Sequence, residues 1–189
     1  MKRGIVGNQA VGWTKLARLL LAASLILAPF QAGSWTASAD PGIAYLDEDG
    51  ELQTKDALEV TVIDESNYTD HTTLTSGWYL FDGTWTHSGT ITISGEVHLI
   101  LADGSHVTVS SGFSSAIRVT DGNKLTIYAQ SAGTGMGRLD PNGSTDSAGI
   151  GGGQNEAAGT ITINGGNITA KDGNGGGAGI GGGSGGSGG

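Results

Sequence analysis

Five aspartates, Asp103, Asp121, Asp140, Asp146 and Asp172, are the side chains best suited to moving protons on a polymeric substrate. Enzymes that cleave acidic polysaccharides gather carboxylates around calcium and take a proton with a nearby basic residue. Basic residues are scarce, and Arg118 and Lys124 are the plausible ones near the middle of the chain. Most of the aspartates stand in Asp-Gly or similar turn signals, where the carboxylate bonds neighbouring backbone. Turn formation is therefore their expected role, and no catalytic residue is assigned.

Other candidate motifs dissolve on the same test. His71, His87, His98 and His106 show no HxH or HExxH spacing, so they are expected on the solvated surface rather than on a metal. "DEDG" at 47–50 opens like a calcium loop. Its sixth position is Leu52 and its twelfth Leu58, where such a loop needs Gly and Glu. Gly177-x-Gly179-x-x-Gly182 and Gly185-x-Ser187-x-Gly189 match a dinucleotide fingerprint and a nucleophile elbow in letters only. Neither follows a strand and opens a helix, as both mechanisms require. No cofactor and no metal are expected.

Aromatics are concentrated in "WYLFDGTW", residues 78–85. Outward members could stack on the apolar face of a sugar ring; inward ones would cap an open end of a β structure. Alternation puts Trp78 and Leu80 on one face and Tyr79 and Phe81 on the other. Capping is the expected role of the run; in the alternative, a sugar-stacking platform, Trp78, Tyr79 and Trp85 are the candidate ligand-binding residues, with Trp78 and Trp85 as outward members.

The elements that position these groups are short strands. "TITI", "VHLIL", "VTV", "IRV", "LTIY" and a second "TITI" alternate apolar and polar residues, separated by turns such as "ADGS", "TDGN" and "KDGN". "YLDEDGELQTK" reads as a hairpin and "LEVTVI" at 58–63 as a strand; no helix is predicted. "AGIGGG" at 148–153 returns at 178–183, a period that marks stacked repeats. A single unit buries too few side chains to offset the cost of ordering its backbone, so units must stack. The predicted fold is all-β: a right-handed parallel β-helix over 84–189, capped by residues 40–83, with Ile161 and Ile163 inward.

Residues 1–39 read as a signal peptide. Lys2, Arg3, Lys15 and Arg18 form a basic leader, residues 19–30 an apolar run too short to span a bilayer, and Ala37-Ser38-Ala39 a processing site. Removing it leaves five basic against 18 acidic residues, a net charge of −13. That balance argues against nucleic acid as a partner. No membrane span is expected in the remaining chain, and the absence of cysteine excludes disulfides. Aligning the two glycine copies puts Gly189 just before the next strand is due, so the chain is expected to be a fragment whose solenoid continues.

"SGWYLFDGTWTHSGTITISGEVHLILADG" (76–104), "LTIYAQSAGTG" (125–135) and "AGIGGG…GTITINGGNITA" (148–170) resemble secreted bacterial proteins labelled carbohydrate-binding domain-containing, mainly from Gram-positive and gut bacteria. The resemblance covers about residues 45–189. It departs at 135–144, "GMGRLDPNGS", where relatives carry a strand of the "GTLTATG" type. It implies a non-catalytic, exported cell-surface or adhesin-type module whose partner is an extracellular glycan or cell-wall polysaccharide. A polysaccharide lyase or glycoside hydrolase on the same fold, or a purely structural stalk, are the alternatives.

Overall fold

Among the named strands, antiparallel pairing is confined to the first hairpin. The structure, a computed structural model, describes residues 42–188; the leader, apolar run and processing site lie outside them. β1 (Ile43–Leu46) and β2 (Leu52–Lys55) pair with Ile43 opposite Lys55. Asp47 Oδ1 ties the turn by accepting from the amides of Asp49 and Glu51.

Every later strand pairs in parallel. In chain order they are β3 (Val60–Ile63), β4 (Thr73–Phe81), β5 (Thr84–Ser88), β6 (Ile91–Leu101), β7 (His106–Ser110), β8 (Ile117–Arg118) and β9 (Lys124–Ala129). β10 (Arg138–Asn142), β11 (Ile150–Gly151), β12 (Thr160–Ile163), β13 (Asn167–Ile168) and β14 (Ile180–Gly181) complete the series. Two single turns of 3-10 helix, Ala57–Glu59 and Tyr68–Asp70, interrupt it, and there is no α-helix among the described residues. The fold is thus nearly all β, built on parallel sheets. Parallel pairing already begins at β3, so residues 60–81 belong to the same ladder as the strands that follow them.

A small sheet runs β5–β7–β10–β13, and a larger one runs β12–β9–β6–β8–β11–β14, with β4 also on β6 and β3 on β4. Register stacks like on like. Ile91, Ile117, Ile150 and Ile180 form one column, and Val97, Leu125 and Ile161 another. Trp85, Val107, Leu139 and Ile168 line up on the small sheet. Side chains from both sheets share one apolar core. Alternation is what makes this possible: strand residues of one parity enter the core while their neighbours face out.

Two departures from the sequence reading have clear causes. Ile161 packs against the core, but Ile163 is 42 % exposed, because β12 is an edge strand with no neighbour on its open side. Residues 138–142 form β10 despite Pro141. The Pro141 carbonyl accepts from Lys171 N–H at 2.9 Å, so the missing proline donor falls on the side facing β13. There the ladder shortens to Asn167–Ile168 and one isolated bridge, Asn142 to Lys171. Proline is tolerated because it stands where pairing lapses.

Candidate functional site

The three aromatic candidates separate onto two faces. Trp85 is 5 % exposed, and its ring stacks on Tyr68 at 5.3 Å and meets Phe81 edge-on at 4.9 Å. Its indole N–H donates to the Asp82 carbonyl at 3.0 Å. Tyr79 is buried too, with its hydroxyl bonded to the amide and carbonyl of Thr75. Neither can meet a ligand. For Trp85 the stacking alternative, which needs it outward, is corrected in favour of the capping role: β5 alternates with Trp85 and His87 inside and Thr84, Thr86 and Ser88 outside.

Trp78 is the one candidate on an outer face, and its surroundings are the protein's own. It stacks on His98 at 4.4 Å, lies against Tyr45 at 4.9 Å, and has Lys55 Nζ 5.7 Å above its ring. His98 Nδ1 and the Tyr128 hydroxyl share a hydrogen bond of 3.0 Å. With Leu80, Ile100 and Tyr128 this forms a second apolar cluster, on which the first hairpin packs through Ile43 and Tyr45. Lys55, at the end of β2, forms an ion pair with Glu59. Trp78 therefore holds the hairpin. The sequence signal for that contact was present in the outward parity shared by Trp78 and Leu80.

The structure does not assemble the candidate acids and bases. Asp103 sits in the turn into β7, and Asp121 in the turn into β9, where it accepts from the Gly122 amide. Arg118 is claimed by Glu156, whose Oε2 accepts from Arg118 Nε at 2.8 Å and from Gly153 N–H at 3.0 Å. Lys124 lies 3.9 Å from Glu96 across the β6–β9 pair. Asp146 accepts from the Gln154 side chain.

One polar group escaped the sequence reading. On the small sheet, Asp140 Oδ2 accepts from His106 Nε2 at 2.8 Å and from Arg138 Nε at 2.7 Å. His106 and Arg138 are direct neighbours in register, as are Thr108 and Asp140. The outer face of this sheet thus carries ordered columns. Thr84, His106, Arg138 and Asn167 make one, Thr86, Thr108 and Asp140 the next, and Ser88, Ser110 and Asn142 a third. Rungs stand about 4.8 Å apart and columns about 6.6 Å apart. Only "SHVTVS" aligned on "GRLDPN" would have revealed it, and the proline discouraged reading the second as a strand.

Burial pushes the Asp140 carboxyl up, but the hydrogen bonds from Arg138 and His106 outweigh it and hold the group below the usual carboxylate range. Its Oδ1 is buried with no hydrogen-bond partner among the described residues. A carboxylate pinned in this way is a weak base. It orients Arg138 and His106, whose side chains remain 43 % and 46 % exposed.

His87 corrects the expectation of four surface histidines: it lies inside, edge-on to Tyr68, and burial lowers its pKa. Burial also lowers that of His98, with Glu96 opposing and Lys55 assisting. Both bind protons less tightly folded than unfolded. The stability they contribute is complete above about pH 6.5 and is lost as pH falls from there through their folded values. Asp140 and Glu156, the latter held down first by its Arg118 hydrogen bond, contribute stability above about pH 4 that is lost below it. Urea midpoints measured from pH 8 to pH 3 should decline in these two windows, and His87→Leu should flatten the upper one. A flat profile between pH 7 and 5 in the parent chain contradicts this assignment.

Compared with protein-family models, with curated proteins and with solved structures, the chain matches none. No helix among the described residues is long and apolar enough to cross a membrane.

Proposed function

We propose that this chain is a non-catalytic, exported cell-surface or adhesin-type module, wound as a right-handed parallel β-helix, that binds an extended glycan on the outer face of its small sheet. The observation that carries this reading is the in-register polar face of β5, β7, β10 and β13, centred on His106, Arg138 and Asp140. A glycan presents hydroxyls at a regular spacing, and this face presents hydroxyl, amide and charged groups on a regular grid. The two hydrogen bonds on Asp140 fix the half-exposed His106 and Arg138 side chains, which reduces the entropy lost on binding. The basic leader, apolar run and Ala37–Ala39 site support export.

A lyase or hydrolase is the alternative, and the same three residues are what favour it. Hydrolysis needs a second carboxylate about 5–9.5 Å from the first. The columns of the small sheet supply Asp140 alone, and the two hydrogen bonds on Asp140 make it a poor base.

A glycan array probed with the chain from Asp40 should give signals that Arg138→Gln lowers about tenfold, the loss of one charged hydrogen bond of roughly 1.5 kcal/mol. Signals that survive Arg138→Gln but vanish with Trp78→Ala would move the site to the larger sheet. No signal with any glycan leaves the stalk as the better account.

A further inference from the structure

Phe113 is fully exposed, in the loop that carries the chain from β7 to β8. A phenylalanine there contributes nothing to the core. The loop is nevertheless well held. Ser111 Oγ accepts from the amides of Phe113 and Ser114 at 3.3 and 3.0 Å. The same oxygen shares a 3.0 Å hydrogen bond with Thr90 Oγ1, which also donates to the Ser115 carbonyl. On the other side, Ser111 N–H donates to the Asn142 carbonyl, and the Ser114 carbonyl accepts from Ser144 N–H. The ring is therefore presented from a loop fixed to the rungs before and after it.

Its position matters as much as its exposure. Ser110, the last residue of β7, is the middle member of the outer column Ser88, Ser110, Asn142. Phe113 follows three residues later, within roughly 10 Å of chain. The chain that leaves the polar face thus carries an exposed aromatic side chain three residues beyond it.

We propose that Phe113 is a sugar-stacking group that extends the small-sheet face, and that the glycan bound there has a hexopyranose whose ring offers an apolar face of axial hydrogens. An aromatic ring supplies affinity for such a face, while Ser110 and Asn142 meet the hydroxyls at its rim. This rests on the glycan reading of the small sheet and adds a substrate class to it: hexopyranose polymers with largely equatorial hydroxyls.

The test compares the parent chain, Phe113→Ala, Phe113→Tyr and Arg138→Gln against equatorial-hydroxyl polymers, such as soluble β-glucans, by calorimetry. Phe113→Ala should weaken binding roughly tenfold, as expected for losing one ring contact, with an unchanged thermal midpoint; Phe113→Tyr should restore it. Binding lost with Arg138→Gln but untouched by Phe113→Ala overturns the stacking role while leaving the sheet as the site. Binding indifferent to both overturns the underlying reading. A Phe113→Ala effect seen only on self-association or on lipid vesicles also overturns the proposal, since the ring would then serve an apolar partner.

Discussion

Trp85→Ala should cost about 3–5 kcal/mol, the range for removing a buried large aromatic. The indole bridges the Tyr68 ring and Phe81, heads the column Val107, Leu139 and Ile168, and gives its N–H to Asp82. Truncation opens a cavity at the end of the core and frees the 3-10 turn at Tyr68–Asp70 that covers it. Domains of this size hold only about 5–15 kcal/mol in total, so a large share of the folded population is at stake. Trp78→Ala, on the half-buried outer cluster, should cost less, about 1–3 kcal/mol. Urea unfolding followed by far-ultraviolet circular dichroism separates the two. Equal losses would mean that Trp85 is not the interior plug described above.

Gly151→Ala should be nearly as damaging, about 3 kcal/mol or more, from backbone strain and overpacking together. Gly151 has φ 133°, and an added Cβ would press on the Gly181 carbonyl of the neighbouring rung. The register sets Gly151 directly against Gly181, so the side chain has no direction in which to escape. This explains why "AGIGGG" repeats: Ile150 and Ile180 fill the column while the following glycine lets two backbones touch. Gly122, at φ 79° with open space around it, provides the contrast, and alanine there should cost only about 1–2 kcal/mol of strain. Amide exchange should show residues 178–188 loosened by Gly151→Ala, together with the Ile117 and Val119 amides that donate to the Gly149 and Gly151 carbonyls, and residues 91–109 unaffected. Protection retained throughout would show that the rungs do not meet at this glycine.

These results bear on how the sequence encodes the molecule. Strand parity was legible almost everywhere, because alternation of Val97, Leu99 and Leu101, or of Leu125 and Ile127, has one physical solution when one face is buried. The hairpin was legible from Asp49-Gly50. That the aromatic run caps a core was legible, but not that Trp85 in particular turns inward, since "GTWTHS" offers no neighbouring aliphatic residue to fix which parity faces the core; a tryptophan and a histidine hold the core positions. The polar face was hidden for a different reason. His106, Arg138 and Asp140 meet only through the β7–β10 register, across 32 residues, and Pro141 argues locally against the strand that brings them together. Phe113 is not legible in the sequence because a loop phenylalanine carries no pattern; only its full exposure distinguishes it.

Glycan binding on the outer face of the small sheet, as proposed, should show in backbone amide shifts recorded while a glycan selected on the array is titrated into the chain. Perturbations should concentrate in β5, β7 and β10 and in residues 111–114, with Arg138 and Asp140 among the largest, and in Arg138→Gln should need about tenfold more ligand to reach the same size. Perturbations centred instead on Tyr45, Trp78 and His98, or absent at saturating ligand, would contradict the account.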